Sequence, residues 1–390
     1  MKIASLFSLS SLRRETSSGR VYYAEIDGLR FVAIFMVLLL HVLGRCLATG
    51  YFGEVGEIKH NIPFIGSGGK GVKLFFAISG FIISLKFVKE RLEGSRADLR
   101  KYFGRRLTRL EPPYVISLLG VYLLAIALNE EGLSLLQYGK DFFVRLFYLS
   151  GLVYGEVPPL NAVTWSLEVE ILFYILAPLF ALVFCSRFPV VVYAMLLGLI
   201  LASALFGSDL LDLDRRFYTT PFPYLHYFLT GFLLSYYHVC VGKVPVNEKI
   251  LDVLGFLALM FFFYDSGNGV LDVASLIVIF CAALYGHWFK RALSVSWVSV
   301  VGGMCYSIYL IHMPLLTAVS RVVVDKQDSL VVSYVKLALI GLPVVGVASL
   351  VFYVLIERPC MNPKWPEALR IWLRSSWKKV KGEQGTQTES

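Results

Sequence analysis

Long apolar runs recur along the chain, each broken by a short polar or charged stretch. They occupy 29–47, 72–90, 111–128, 164–185, 189–206, 222–241, 250–264, 270–286, 297–319 and 332–356. A helix needs roughly 20 mostly apolar residues to cross a bilayer core of about 30 Å. The pattern therefore predicts an all-α, polytopic membrane protein with about ten transmembrane helices. Two segments, 142–155 and 250–264, are short, and the first also fits a re-entrant or interfacial piece.

An even number of spans puts both termini on one side. The loops of that side collect Lys2, Arg13, Arg14, Arg20, the run from Lys86 to Arg109, Arg187, Lys243, Lys249, Lys290, Arg291 and the tail from Arg358 to Lys381. The opposite loops hold Glu54, Glu57, Glu130, Glu131, Asp209, Asp212, Asp214, Asp325 and Asp328. Lysine and arginine mark cytoplasmic loops, so both termini are expected in the cytoplasm. Residues 1–21 read as a cytoplasmic tail, because the apolar stretch Ile3–Leu12 is short, Ser-rich and followed by no small-residue cleavage site. Residues 22–360 read as the transmembrane domain and 361–390 as a basic, then polar, cytoplasmic tail. No internal repeat and no separate soluble domain are visible.

Composition agrees with this pattern. The 390 residues are 57% hydrophobic and 17% charged, whereas soluble domains are about a quarter charged. The net charge of +9 is accounted for by the cytoplasmic loops, so no nucleic-acid partner is expected. Cys46, Cys185, Cys240, Cys281, Cys305 and Cys360 form no CxxC pair and no metal-ligand spacing. Most lie in or beside apolar runs, where cysteine acts as a small hydrophobe, and neither disulfides nor a metal site are expected.

Three stretches carry candidate chemistry. In DGLRFVAIFMVLLLH, Arg30 and His41 are separated by three helical turns plus about 20°, with a rise of roughly 16 Å. They share one face, Arg30 near the inner boundary and His41 beyond mid-depth. Arg30 alone fits a snorkelling anchor. A histidine deep in an apolar span is a functional-site candidate, with an interhelical hydrogen bond as its structural alternative.

The second stretch is TWSLEVEILFYILAP, where Glu168 and Glu170 cannot share a face. Glu170 falls roughly 9 Å below the outer boundary and His41 about 14 Å below it. A histidine and a carboxylate at similar depth are parts for proton transfer. The third stretch, KYFGRRLTRLEPPY, sets Arg105, Arg106 and Arg109 before a span on the inner side. Guanidinium forks suit phosphates, while the charge rule and anionic lipid provide the structural alternative. A coenzyme with a phosphorylated head and a long thin arm, such as coenzyme A, would bridge the arginines and the histidine.

These stretches also resemble the acyltransferase-3 family of integral membrane acyltransferases, which includes O-antigen and other polysaccharide O-acetyltransferases. The resemblance covers most of 22–360: Arg-x10-His, then KLFFAISGFIIS at 73–84, RRLTRLEPPY at 105–114, TWSLEVEILFY at 164–174, SIYLIH at 307–312 and ERP at 357–359. It implies about ten spans in a bacterial inner membrane and an acyl-CoA (acetyl-CoA) donor from the cytosol. The implied acceptor is a cell-surface or lipid-linked glycan, such as lipopolysaccharide, on or reaching the other side. It matches His41 as the essential histidine and Arg30 as its partner, and Arg106 and Arg109 fit the family's basic motif, with Arg105 beside them. The glutamate of WSL-x-x-E falls on Glu170. The family often has a second glutamate where this chain has Ile171, and Glu168 replaces a small or polar residue, so either carboxylate remains a candidate. Trp165, Glu168, Tyr309 and His312 are expected near the acceptor. Some relatives carry a fused extracytoplasmic esterase-like domain. Its expected absence here implies direct transfer or a separate extracytoplasmic transferase partner.

Other features read as structural. GSGGKG (Gly66–Gly71) reads as a flexible outer connection rather than a phosphate loop. Ser79-Gly80 reads as a close helix contact, and Tyr224 and His226 as part of an interfacial aromatic belt. His60 and His287 have no assigned role. The reading is a membrane O-acyltransferase in which His41 is general base on a sugar hydroxyl, with an acyl-histidine intermediate as a variant. The rivals are a proton-coupled secondary transporter using His41 and Glu170 as a relay, and a glycan-export component. The absence of a repeat counts against a transporter.

Overall fold

The computed structural model describes Leu12 and residues 22–50, 63–95, 98–128, 134–155, 161–184, 188–264, 267–362 and 365–367. The rest of the expected N-terminal tail, most of the C-terminal tail, and Glu54, Glu57, His60, Glu130, Glu131, Cys185 and Arg187 lie outside these residues. All regular structure among the described residues is helical. The principal helices are α1 (Ala24–Thr49), α2 (Lys70–Leu92), α3 (Leu99–Leu128), α4 (Leu135–Leu146), α5 (Trp165–Phe184), α6 (Pro189–Phe206), α7 (Leu225–Cys240), α8 (Glu248–Tyr264), α9 (Gly269–Tyr285), α10 (Ser296–Gly303), α11 (Cys305–Val323) and α12 (Leu330–Phe352).

Among the described residues, seven segments are long and apolar enough to span a membrane: 24–49, 64–92, 99–127, 162–183, 189–206, 305–323 and 330–360. The runs at 222–241, 250–264 and 270–286 form α7, α8 and α9, of 16, 17 and 17 residues. A helix of that length rises about 25 Å, less than the usual core thickness. Local chemistry sets the ends. The Asn268 side chain accepts the N–H groups of Val270 and Leu271 at the start of α9, and Gly286 follows its end.

At the centre lies α7, buried continuously from Leu225 to Tyr236. A Cβ on Gly80 would stand 2.0 Å from the Phe228 carbonyl oxygen, and one on Gly231 would stand 2.0 Å from that of Ala77. Glycine on both sides lets the α2 and α7 backbones touch, as close helix packing in membranes requires. Phe228 stacks on Phe173 at 3.9 Å and on Phe76 at 4.7 Å, joining α5 to the same core.

The run expected as one span at 297–319 is two helices. Met304 separates α10 from α11, and its N–H bonds the carbonyls of Val300 and Val301. A Cβ on Gly302 would lie 1.7 Å from the carbonyl oxygen of Asp27, so α10 seats directly on the first turn of α1. Helix α3 starts at Leu99, twelve residues ahead of the expected 111, and so includes the basic run.

Prolines inside helices supply a further set of fastenings. Proline lacks the N–H that would bond the carbonyl four residues earlier, and in a bilayer that carbonyl needs another donor. Pro112 frees the carbonyl of Thr108, which accepts Trp365 Nε1–H at 2.8 Å. Pro178 frees that of Tyr174, which accepts the Tyr102 hydroxyl at 3.1 Å. Pro314 frees that of Leu310, which accepts Asn161 Nδ2–H at 3.4 Å.

The ambiguous segment at 142–155 contains no span. α4 opens with a capping box between Ser134 and Gln137 and runs only 12 residues. Its burial is inverted: Arg145 is 1% exposed, whereas Leu136 is 83% exposed. Arg145 Nε donates to Asp141 at 2.8 Å, and the Tyr122 hydroxyl bonds the same carboxylate. A helix with its polar side inward and its apolar side outward suits a lipid surround.

GSGGKG is not a flexible connection. Gly68 and Gly71 abut the carbonyls of Met36 and Ala33, where a Cβ would clash at 2.3 Å. Lys70, buried at the start of α2, holds Asp272 Oδ1 at 2.7 Å. Lys73 lies 3.5 Å from Oδ2, which accepts the Tyr227 hydroxyl at 2.8 Å. The same glycine contacts show that α1 and α2 run antiparallel. The start of α1 therefore lies at the bundle end that carries Lys86, Lys89 and Arg91, called the basic end below. Nor do Tyr224 and His226 form a surface belt: both are buried, and the His226 N–H bonds Ser203 at 3.0 Å.

Candidate active site

Positions 30, 34, 37 and 41 of α1 recur at helical spacing and fall within about 60° of arc. Arg30, Ile34 and Val37 line a cavity of about 930 Å³, measured with its open mouth. On α11, Cys305 and Tyr309 line the same cavity, and His312 is the next residue on that stripe. Arg106 and Arg109 from α3, Ser79 from α2, Ser166, Glu170 and Tyr174 from α5, and Tyr306 from α11 complete the polar lining.

Arg30 pairs with Asp27 and lines the cavity together with Glu170 and Cys305. Glu170 Oε1 accepts the Ser79 hydroxyl at 2.5 Å and also bonds the Tyr174 hydroxyl. The Arg106 guanidinium lies over the Tyr174 ring, 4.6 Å from its centroid. A continuous set of contacts thus leads from Arg106 through Tyr174 to Glu170 and on to Ser79. It combines cation–π attraction with hydrogen bonds that strengthen one another in a dry interior. Tyr309 donates its hydroxyl to the Val163 carbonyl at 2.5 Å and lies 3.2 Å from Ser166.

The two histidines meet on the stripes that line the cavity. The His41 and His312 rings lie 5.2 Å apart, centroid to centroid. His312 Nδ1 faces the carbonyls of Ile308 and Tyr309 at 3.0 and 2.8 Å. Carbonyls only accept, which places the proton on Nδ1 and the lone pair on Nε2. Nε2 is buried and has no hydrogen-bond partner among the described residues.

The structure brings together Arg30, Arg106, Arg109, Glu170 and Tyr309 on one cavity, and His41 with His312 beside it. Glu170 is engaged by Ser79 and Tyr174, and the His41 ring lies against His312. The two carboxylates separate as their angular offset requires. Glu168 is 2% exposed and accepts the backbone N–H groups of Ser150 at 3.1 Å and Gly151 at 3.2 Å. It caps the short helix Ser150–Tyr154 and is not part of the cavity lining. Trp165 is also absent from the lining and packs on Tyr218 at 4.5 Å and Tyr224 at 5.6 Å. Arg105 does not line the cavity.

The sequence reading missed Ser79, Tyr174, Cys305 and Tyr306, all of which line the cavity. Ser79 carried a signal, since it precedes the Gly80 contact on a face at an angle to it. Tyr174 lies one turn from Glu170 and could have been placed beside it by spacing alone.

A bundle of apolar helices with a charged internal cavity defines a multi-pass integral membrane protein. The chain belongs to the acyltransferase-3 family, whose model, described as an acyltransferase domain, matches residues 23–358. It is 25% identical over 356 residues to the O-acetyltransferase OatA of Staphylococcus aureus, an alignment covering 82% of this chain and 55% of that protein. It is 24% identical over 352 residues to the peptidoglycan O-acetyltransferase OatA of Listeria monocytogenes, covering 82% and 53%. The chain thus spans about half the length of these curated relatives. No solved structure matches.

Proposed function

We propose that this protein transfers an acetyl group from cytosolic acetyl-CoA to a hydroxyl of a cell-surface or lipid-linked glycan, from a bacterial inner membrane. One observation carries the reading. A single cavity presents Arg106, Arg109 and Arg30, and its lining stripes on α1 and α11 continue to His41 and His312. The names of the Staphylococcus and Listeria relatives support the acetyl group and a glycan acceptor.

Arg106 and Arg109 hold the coenzyme's phosphates as charge-assisted forks. Arg30 and Glu170 face the polar arm farther along the cavity. The acceptor hydroxyl oxygen attacks the thioester carbonyl carbon, His41 takes the hydroxyl proton, and the carbon–sulfur bond breaks. The imidazolium then returns its proton to the departing thiolate. The acyl group reaches the glycan directly or by way of a separate extracytoplasmic transferase.

The test is consumption of radiolabelled acetyl-CoA by the purified protein in lipid, with and without His41→Ala. The variant is expected to insert, fold and bind coenzyme A while transfer is lost. Wild-type turnover by a folded His41→Ala protein removes the histidine from the chemistry, and no acetyl-CoA consumption by wild type with glycan present removes the reaction itself.

A further inference from the structure

The chain leaves α12 through a π turn, Tyr353–Glu357, wider than an α turn and often found at functional positions. The turn ends on Glu357, whose side chain has no exposed surface. A carboxylate buried this deeply needs both hydrogen bonds and a counter-charge. Its Oε2 accepts the N–H of Ser307 at 3.0 Å and the Ser307 hydroxyl at 2.5 Å. Ser307 stands in the first turn of α11, where N–H groups lack helical partners and the dipole favours a negative charge. The other oxygen, Oε1, lies 4.0 Å from Arg109 Nη2, an ion pair without a hydrogen bond.

Arg109 also lines the cavity, whereas Glu357 and Ser307 do not. Next to this pair, the Tyr306 hydroxyl donates to the Leu110 carbonyl at 2.8 Å. α3, α11 and the π turn therefore meet at one fastening, with Arg109 as its only member among Arg109, Ser307 and Glu357 that reaches the cavity. A guanidinium is a planar fork, so an anion bound by it is oriented only if the plane is held.

We infer that Glu357 is a positioning residue whose buried charge draws Arg109 Nη2 toward itself and thereby sets how the guanidinium meets the anionic group of the co-substrate. The inference rests on the reading of the cavity as a coenzyme A site. Glu357 also ties that placement to the α10–α11 break, because the same carboxylate caps the first turn of α11.

The experiment uses the full chain in lipid nanodiscs, coenzyme A as the probe, binding calorimetry and thermal unfolding. Arg109→Ala is expected to weaken coenzyme A binding about 10- to 100-fold through loss of a charge-assisted contact. Glu357→Gln keeps the shape and the Ser307 N–H bond but removes the counter-charge, and is expected to weaken binding roughly tenfold. Because Glu357 acts through Arg109, adding Glu357→Gln to Arg109→Ala changes the affinity by less than about twofold. Ser307→Ala, which loosens Glu357 without removing its charge, gives a second reading should Glu357→Gln fail to accumulate. Its expected effect is a loss of several-fold alone and none in the Arg109→Ala background. Lower thermal stability with unchanged coenzyme A affinity in these variants, or additive losses in the double variants, overturns the inference. An unchanged affinity in Arg109→Ala is a different signature, showing that the cavity reading beneath the inference is wrong.

Discussion

The hydroxyl of Tyr102 donates to the main-chain carbonyl of Tyr174 at 3.1 Å, the carbonyl that Pro178 leaves without a helical donor. This bond clamps α3 to α5 where Arg106 lies over the Tyr174 ring. Its removal is expected to matter only because the proline is there. Tyr102→Phe should destabilise the protein by about 1–3 kcal/mol, the usual cost of an unsatisfied buried acceptor. Pro178→Ala restores a backbone donor, so Tyr102→Phe should be far milder in that background. Thermal unfolding of the wild type and these three variants checks this, and equal losses in both backgrounds would count against it.

Arg106 engages Tyr174 through its face rather than through a carboxylate. Arg106→Ala is expected to weaken coenzyme A binding about 10- to 100-fold, and Arg106→Lys to recover only part of it, because a point charge lacks the fork. Tyr174→Phe keeps the ring beneath Arg106 but removes the hydroxyl from Glu170. It should therefore lower turnover while leaving coenzyme A affinity near wild type. Calorimetry alongside turnover separates the two effects, and loss of affinity in Tyr174→Phe would contradict the division.

The two glutamates of α5 provide an internal contrast. Glu168 satisfies two buried backbone N–H groups, and Glu168→Ala leaves both without an acceptor, at about 1–3 kcal/mol each. Its main effect should be on thermal stability. Glu170→Gln, which retains an acceptor for Ser79, should fold normally and lose turnover. The opposite outcome, with Glu170→Gln active and unstable and Glu168→Ala folded and inactive, would reverse the assignment.

What the sequence made legible was whatever follows from period and charge. Arg30 and His41 share a face because 3.6 residues make a turn, and the arginines of the basic run were found by their density. The break at Met304 was hidden because Gly302 and Gly303 sit inside an uninterrupted apolar run, and hydropathy does not register a backbone that stops being helical. The run at 222–241 was read as longer than α7 for a related reason, since apolar residues continue past the ends of that helix, whereas α8 and α9 match their runs to within two residues. Glu168 and Glu170 could be shown to diverge but not assigned. The partners that decide the matter, Ser150 on one side and Ser79 on the other, are 18 and 91 residues distant. The same applies to Tyr102 and Tyr174, 72 residues apart, and to the apposition of His41 with His312.

The central claim is that the donor enters from the basic end and the acyl group leaves toward the other side. It is tested most directly in proteoliposomes with the protein inserted in one orientation and labelled acetyl-CoA supplied to one face at a time. Acetyl-CoA is expected to react only from the face bearing Lys86, Lys89 and Arg91, free coenzyme A to return to that face, and the labelled glycan to appear on the opposite face. Efficient acetylation of a soluble acceptor confined with the donor to the basic face would contradict it.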